Sequence, residues 1–216
     1  MKYFTLLFTI CILIQSCSST SNFVEAESLG TSNHSYMVGG EFTLTSDKLL
    51  EDGTDQNFFP FAVGSLQYGY GLNDRLDLRT SLNSFLTAKV GLKYQFVNMD
   101  NFDLATSFNV LGGLREGGAE VVLHTQYKIG KASLLFNPSF SYSSSIIALT
   151  ASPVQVFDGL VGRSIGLSTG IMFGEKQNYK LMLNALLFPG ADEIFPVYGI
   201  GFSYDIKTKY SSKKPQ

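Results

Sequence analysis

The sequence predicts an all-β chain: an antiparallel up-and-down transmembrane β-barrel of about ten strands, with eight and twelve as the alternatives. Three observations carry this. From Ser35 to Ile206 apolar and polar residues alternate with period 2, the signature of strands with two unlike faces. Within those strands every charge falls on the same face. And although 44% of the residues are hydrophobic and only 16% charged, no apolar run after residue 16 approaches the ~20 residues that a spanning helix needs.

Taken in order, residues 1–16 read as a signal peptide. Lys2 supplies the positive end, and Phe4 to Ile14 form an apolar stretch of the right length. The following Ile14-Gln15-Ser16-Cys17 resembles the lipobox of bacterial lipoproteins: an aliphatic residue, a tolerant position and a small residue before a cysteine. That resemblance implies cleavage behind Ser16 and a diacylglycerol thioether on Cys17. Ser18 stands where an aspartate would imply inner-membrane retention, so the resemblance implies the outer membrane, with its lipid as first partner and Cys17 as the anchor. Cys11 leaves with the signal, so Cys17 is the one thiol of the mature chain and no disulfide or CxxC chemistry is available. Residues 17–34 are rich in Ser, Thr, Asn and Glu without a period, and read as an acylated flexible tether.

The barrel is expected over residues 35–206, with strands at about 35–45, 60–71, 75–83, 87–97, 102–111, 118–129, 132–143, 164–173, 179–188 and 196–206. One face is uncharged throughout, as in Tyr36, Val38, Phe42 and Leu44 of the first strand or Tyr198, Ile200, Phe202, Tyr204 and Ile206 of the last. The opposite face carries Glu41, Asp77, Arg79, Lys89, Lys93, Asp103, Glu120, Lys128, Lys180 and Asp205, together with His124, Ser107, Asn109 and Asn137. Pro138 falls on the apolar face and removes a ladder donor, so a bulge or an edge is expected there. Residues 207–216 form a basic C-terminal tail.

Such sorting suits either a soluble barrel with its apolar face inward or a membrane barrel with the faces exchanged. The membrane version is favoured by strands near the ~9–11 residues needed to cross a bilayer, where soluble strands average ~5–6. Aromatic residues near the strand ends, such as Tyr36, Tyr94, Tyr127 and Tyr179, fit interfacial girdles. The long connections, 46–59 and 144–163, fall at one end, opposite a set of short turns, as in bacterial barrels. Ile146 to Leu160 could add a further hairpin.

The phrase Tyr68-Gly-Tyr-Gly-Leu-Asn-Asp-Arg-Leu-Asp-Leu78 resembles the strand–turn–strand hairpins of bacterial outer-membrane β-barrel proteins. Gly199-Ile-Gly-Phe-Ser-Tyr204 resembles their β-signal, which implies the barrel assembly machinery as a partner during biogenesis. The chain departs from that pattern by running on to Gln216 and by having no Trp.

For function the sequence is less explicit. A formal charge of −2 offers no basic field for nucleic acid. No catalytic constellation, metal-ligand spacing or cofactor motif is present. His124 lies mid-strand on the polar face between Glu120 and Lys128, and reads as one member of a lumenal polar network rather than as an acid–base catalyst. Outer-membrane barrel enzymes such as lipid A deacylases and omptin proteases work at the outer rim, whereas His34-Ser35 falls at the opposite end. Gly112-Gly-Leu-Arg-Glu-Gly-Gly118 lacks the helix and Lys-Ser/Thr of a phosphate loop. With five acids facing five bases on the polar face, a narrow barrel should be largely plugged. The expected role is structural, or interaction with a protein partner through apolar loop residues Phe58, Phe59, Ile146, Ile147, Val154, Val156 and Phe157. The alternatives are a narrow channel or small-solute transporter, and a soluble periplasmic barrel lipoprotein that binds an apolar ligand.

Overall fold

The computed structural model describes residues 22–46, 58–84, 86–113, 116–145, 162–174, 177–189 and 194–208. The signal peptide, Cys17, the Ile146–Leu160 stretch and residues 209–216 lie outside them.

Ten strands follow one another: β1 His34–Ser46, β2 Phe58–Gly71, β3 Leu76–Asn83, β4 Ala88–Asn98, β5 Phe102–Gly112, β6 Glu116–Ile129, β7 Ala132–Ser145, β8 Gly162–Phe173, β9 Gln177–Pro189 and β10 Ile194–Thr208. Each pairs antiparallel with its neighbours in sequence, and β1 closes on β10 from His34↔Thr208 to Thr45↔Val197. The result is a closed up-and-down barrel. No edge strand remains to be protected.

Its faces are arranged as a membrane barrel requires. The uncharged face points outward: Tyr36, Val38, Phe42, Phe108, Val110, Leu181, Leu183, Ile200 and Phe202 are all exposed. The acids, amides and lysines of the strands point inward, most of them buried. The soluble alternative with an apolar interior is thereby overturned, since the interior side chains include Asp77, Lys93, Asp103, His124 and Lys180. One charge departs from the sorting, because Arg163 at the long-loop end of β8 is exposed on the outer face.

An aromatic belt rings the short-turn end. Tyr36 and Tyr68 lie 5.3 Å apart between ring centres, Tyr179 and Tyr204 4.9 Å, and His34 stands 5.1 Å from Tyr70 with its Nδ1 2.9 Å from the Tyr68 hydroxyl. Rings with a polar tip suit the boundary between hydrocarbon and water.

Several expectations need correction. Pro138 makes neither a bulge nor an edge. It stays in register opposite Leu167, while toward β6 the pairing skips from Val122↔Ser139 to Thr125↔Phe136 without a shift. The missing N–H interrupts the ladder and leaves the register intact. The bulge lies instead in β4, between Gln95 and Val97 opposite β5. Phe58 and Phe59 belong to β2 rather than to a loop, and Lys207 and Thr208 belong to β10 rather than to a tail. The largest departure concerns residues 22–33. Expected as part of a flexible tether, they run inside the barrel.

Candidate functional site: the occupied lumen

The chain enters the lumen at its short-turn end. Ser32 N–H donates to Gly71 O at 2.8 Å, Gly71 N–H to Asn33 O at 2.9 Å, and Thr31 Oγ1 to Asp74 in the β2–β3 turn at 2.8 Å. Gly30 takes a left-handed φ of 76°, which a glycine adopts without strain. It lies so close to the wall that a Cβ on Gly71 would stand 1.8 Å from Gly30 O. Gly71 is therefore the notch through which the segment passes. From there, reading backward, it climbs to Asn22, whose N–H reaches Ser168 Oγ of β8 at 3.1 Å.

Backbone groups without a partner inside a dry lumen would be costly, and wall side chains satisfy this segment's one after another. Asp77 accepts from Leu29 N–H at 3.1 Å and from Ser28 Oγ at 2.8 Å, and Gln95 Oε1 accepts from Ser28 N–H at 2.9 Å. Lys93 Nζ donates to Glu25 O at 3.0 Å and to Glu27 O at 2.5 Å; Lys180 Nζ donates to Phe23 O at 2.8 Å. Asn137 donates to Asn22 O at 3.0 Å and Val24 O at 3.1 Å.

Apolar contacts fix the register further. Phe23 is fully buried in a cluster with Met37, Leu135, Met172 and Met182, four apolar residues of the lumen wall. Ala26 and Leu29 are also buried.

At the centre stands Glu25, 0% exposed. Its carboxylate lies 2.5 Å from Lys180 Nζ, 3.1 Å from Lys207 Nζ and 3.8 Å from Arg79 Nη2. Burial alone would raise the Glu25 carboxyl, but Lys180, Lys207, Arg79 and Lys93 together hold it well below the usual carboxylate range. Arg79 and Lys93 also meet Asp77, at 3.2 and 3.0 Å, and Lys180 meets Asp205 at 3.5 Å.

The remaining network residues expected from the sequence also face inward, in separate groups. Lys128 pairs with Asp103 at 2.7 Å and with Glu27 at 3.6 Å near the short-turn end. Lys89 pairs with Glu120 at 3.0 Å, and Glu41 accepts from Asn184 at 3.3 Å. His124 Nε2 lies 2.8 Å from Ser107 Oγ. That contact has the spacing of a base and a nucleophile, yet both side chains are buried, and the other ring nitrogen meets no carboxylate to orient it. It is a structural pair.

Sequence reasoning missed Glu25, Glu27 and Lys207. The signal that could have found them is the apolar patch at Met37, Leu135, Met172 and Met182, which needs an apolar filler inside. Among the described residues no group of His, Cys, Asp and Glu could hold a metal ion. Two cavities flank the segment: about 50 Å³ beside Asn22, Arg79 and Lys89, and about 460 Å³ at the short-turn end beside Glu27, Leu29, Lys128 and Lys207.

No protein-family model and no curated relative matches the sequence. Matches among solved structures include an outer-membrane channel from Pseudomonas putida, at 11% identity over 87% of this chain and 100% of that one, TM-score 0.45. They also include the outer-membrane protein OprG of Pseudomonas aeruginosa, at 9% identity over 85% and 100%, TM-score 0.40. Neisserial surface protein A matches at 11% identity over 82% and 97%, TM-score 0.39. Likeness at this level does not bear on activity. On its own geometry, closed, antiparallel, even-numbered and apolar outside, the chain has the fold of bacterial outer-membrane β-barrel proteins.

Proposed function

We propose that this protein is an outer-membrane barrel lipoprotein, anchored through Cys17, whose lumen is closed by its own residues 22–33. Its role is structural or that of an interaction partner, exercised through the end of the barrel that holds Ser46, Phe58, Ser145 and Gly162, to which the long connections 47–57 and 146–161 are joined in sequence. The observation that carries this reading is Glu25, locked among Lys180, Lys207 and Arg79 with the backbone on either side hydrogen-bonded to the wall. A barrel built to conduct would not fill its lumen with a segment held at so many points.

Neither catalysis nor steady transport fits that arrangement. The Ser107–His124 pair is buried, and residues of the segment line both cavities. In planar bilayers the full-length protein should give no single-channel openings in symmetric KCl. Stable openings of uniform size would replace this reading with that of a narrow channel. Anchoring is tested separately: mass spectrometry of the protein from bacterial membranes should find a diacylglyceryl-modified Cys17 at the N-terminus, and an unmodified thiol there would remove the lipoprotein part.

A further inference from the structure

The short-turn half of the lumen wall holds more positive than negative charge. Arg79 of β3, Lys93 of β4, Lys180 of β9 and Lys207 of β10 converge there, and the wall acids they pair with among the described residues are Asp77 and Asp205. Four cations against two acids leave an excess in a place where an unpaired charge is costly. A carboxylate from outside the wall offsets half of that excess. Glu25 presents Oε2 to Lys180 and Oε1 to Lys207, with Arg79 beside Oε1.

Nothing in that geometry requires the carboxylate to be covalently part of the chain. Lys207 is reachable. Its side chain is 19% exposed and lines the cavity of about 460 Å³ at the short-turn end, together with Lys128, Glu27 and Gln126. A cavity of that size admits a small organic acid.

We propose that Lys180, Lys207 and Arg79 form a carboxylate-binding site in the barrel wall, that Glu25 is its internal ligand in the closed barrel, and that a small carboxylate entering from the short-turn end can take the same place. The inference rests on the reading of residues 22–33 as the lumen's own plug, but its test reads binding rather than conductance.

The test is chemical rescue of full-length Glu25→Ala in detergent, with sodium acetate as the probe and sodium chloride at equal ionic strength as the control. Acetate should raise the melting temperature of Glu25→Ala by about 3 °C or more over chloride. Ammonium chloride should not. Glu25→Gln, whose amide fills the same space, should melt alike in acetate and chloride, as should the wild type. If Glu25→Ala does not fold in chloride, recovery of folded yield in acetate supports the site. Equal behaviour of Glu25→Ala in the two sodium salts, in melting or in yield, overturns it. So does a gain in Glu25→Gln as large as that in Glu25→Ala, which would mark a general salt effect. Channel openings by the wild type would count against the plug and leave the acetate result to stand or fall alone.

Discussion

Glu25 concentrates the energetics of the lumen in one side chain. Taking a carboxylate fully out of water is expensive, and it is tolerated here because two lysines and an arginine meet it. Breaking such a buried cluster by removing one partner typically costs about 3–5 kcal/mol. Glu25→Gln should therefore shift the urea midpoint much further than Glu120→Gln, whose pair with Lys89 is partly exposed. The dependence on pH has a definite sign. Because the Glu25 carboxyl is held below its ordinary value in the folded state, its contribution is fully present above the unfolded value of about 4.3. It falls away progressively as pH drops from there to the lower, folded value, below which it is gone. Melting curves should show an acid-side loss in the wild type that shrinks in Glu25→Gln; a loss of the same size in both would contradict the assignment. At this scale the wall charges from Glu41 to Asp205 were legible, because a period of two dictates which side a strand residue faces. Glu25 and Glu27 were not, since a segment without period says nothing about where it lies. Lys207 was hidden by its place at a strand end, where alternation runs out.

At the scale of elements, the strand pattern was readable almost throughout, since each strand has one lipid-facing and one lumen-facing set and a slip of one residue would exchange them. The N-terminal segment was unreadable for a related reason. Its hydrogen bonds go to wall side chains, so its residues answer to local partners such as Asp77, Gln95 and Lys93 rather than to a repeat. The segment and the barrel should accordingly be separable by mutation. A Cβ at Gly71 would stand 1.8 Å from Gly30 O, whereas one at Gly64 in the same strand meets nothing within 4 Å. Valine is a favourable strand residue, so Gly71→Val should leave β2 paired while forcing the segment out of its notch. Limited proteolysis should then cleave within residues 22–33 of Gly71→Val and spare both wild type and Gly64→Val. Equal resistance in all three would mean that the segment does not depend on that notch.

For the whole molecule the governing question is which medium surrounds the barrel. Leu183 sits at the middle of β9 and is 56% exposed, while its neighbour Asn184 points inward and is buried. If the exterior met water, Leu183→Lys would change stability by a few tenths of a kcal/mol at most, as surface substitutions usually do within about 0.5 kcal/mol. In hydrocarbon the same change places an ammonium near the bilayer midplane, where lysine costs about 2–4 kcal/mol, falling to about 0–1 near the interfaces. Ile206, near the short-turn end of β10, offers the interfacial comparison. Reversible urea unfolding in lipid vesicles should thus rank Leu183→Lys as strongly destabilised and Ile206→Lys as mildly so. The gradient with depth, rather than either value alone, identifies a bilayer, because water provides no axis along which two exposed positions on the same face would differ by depth.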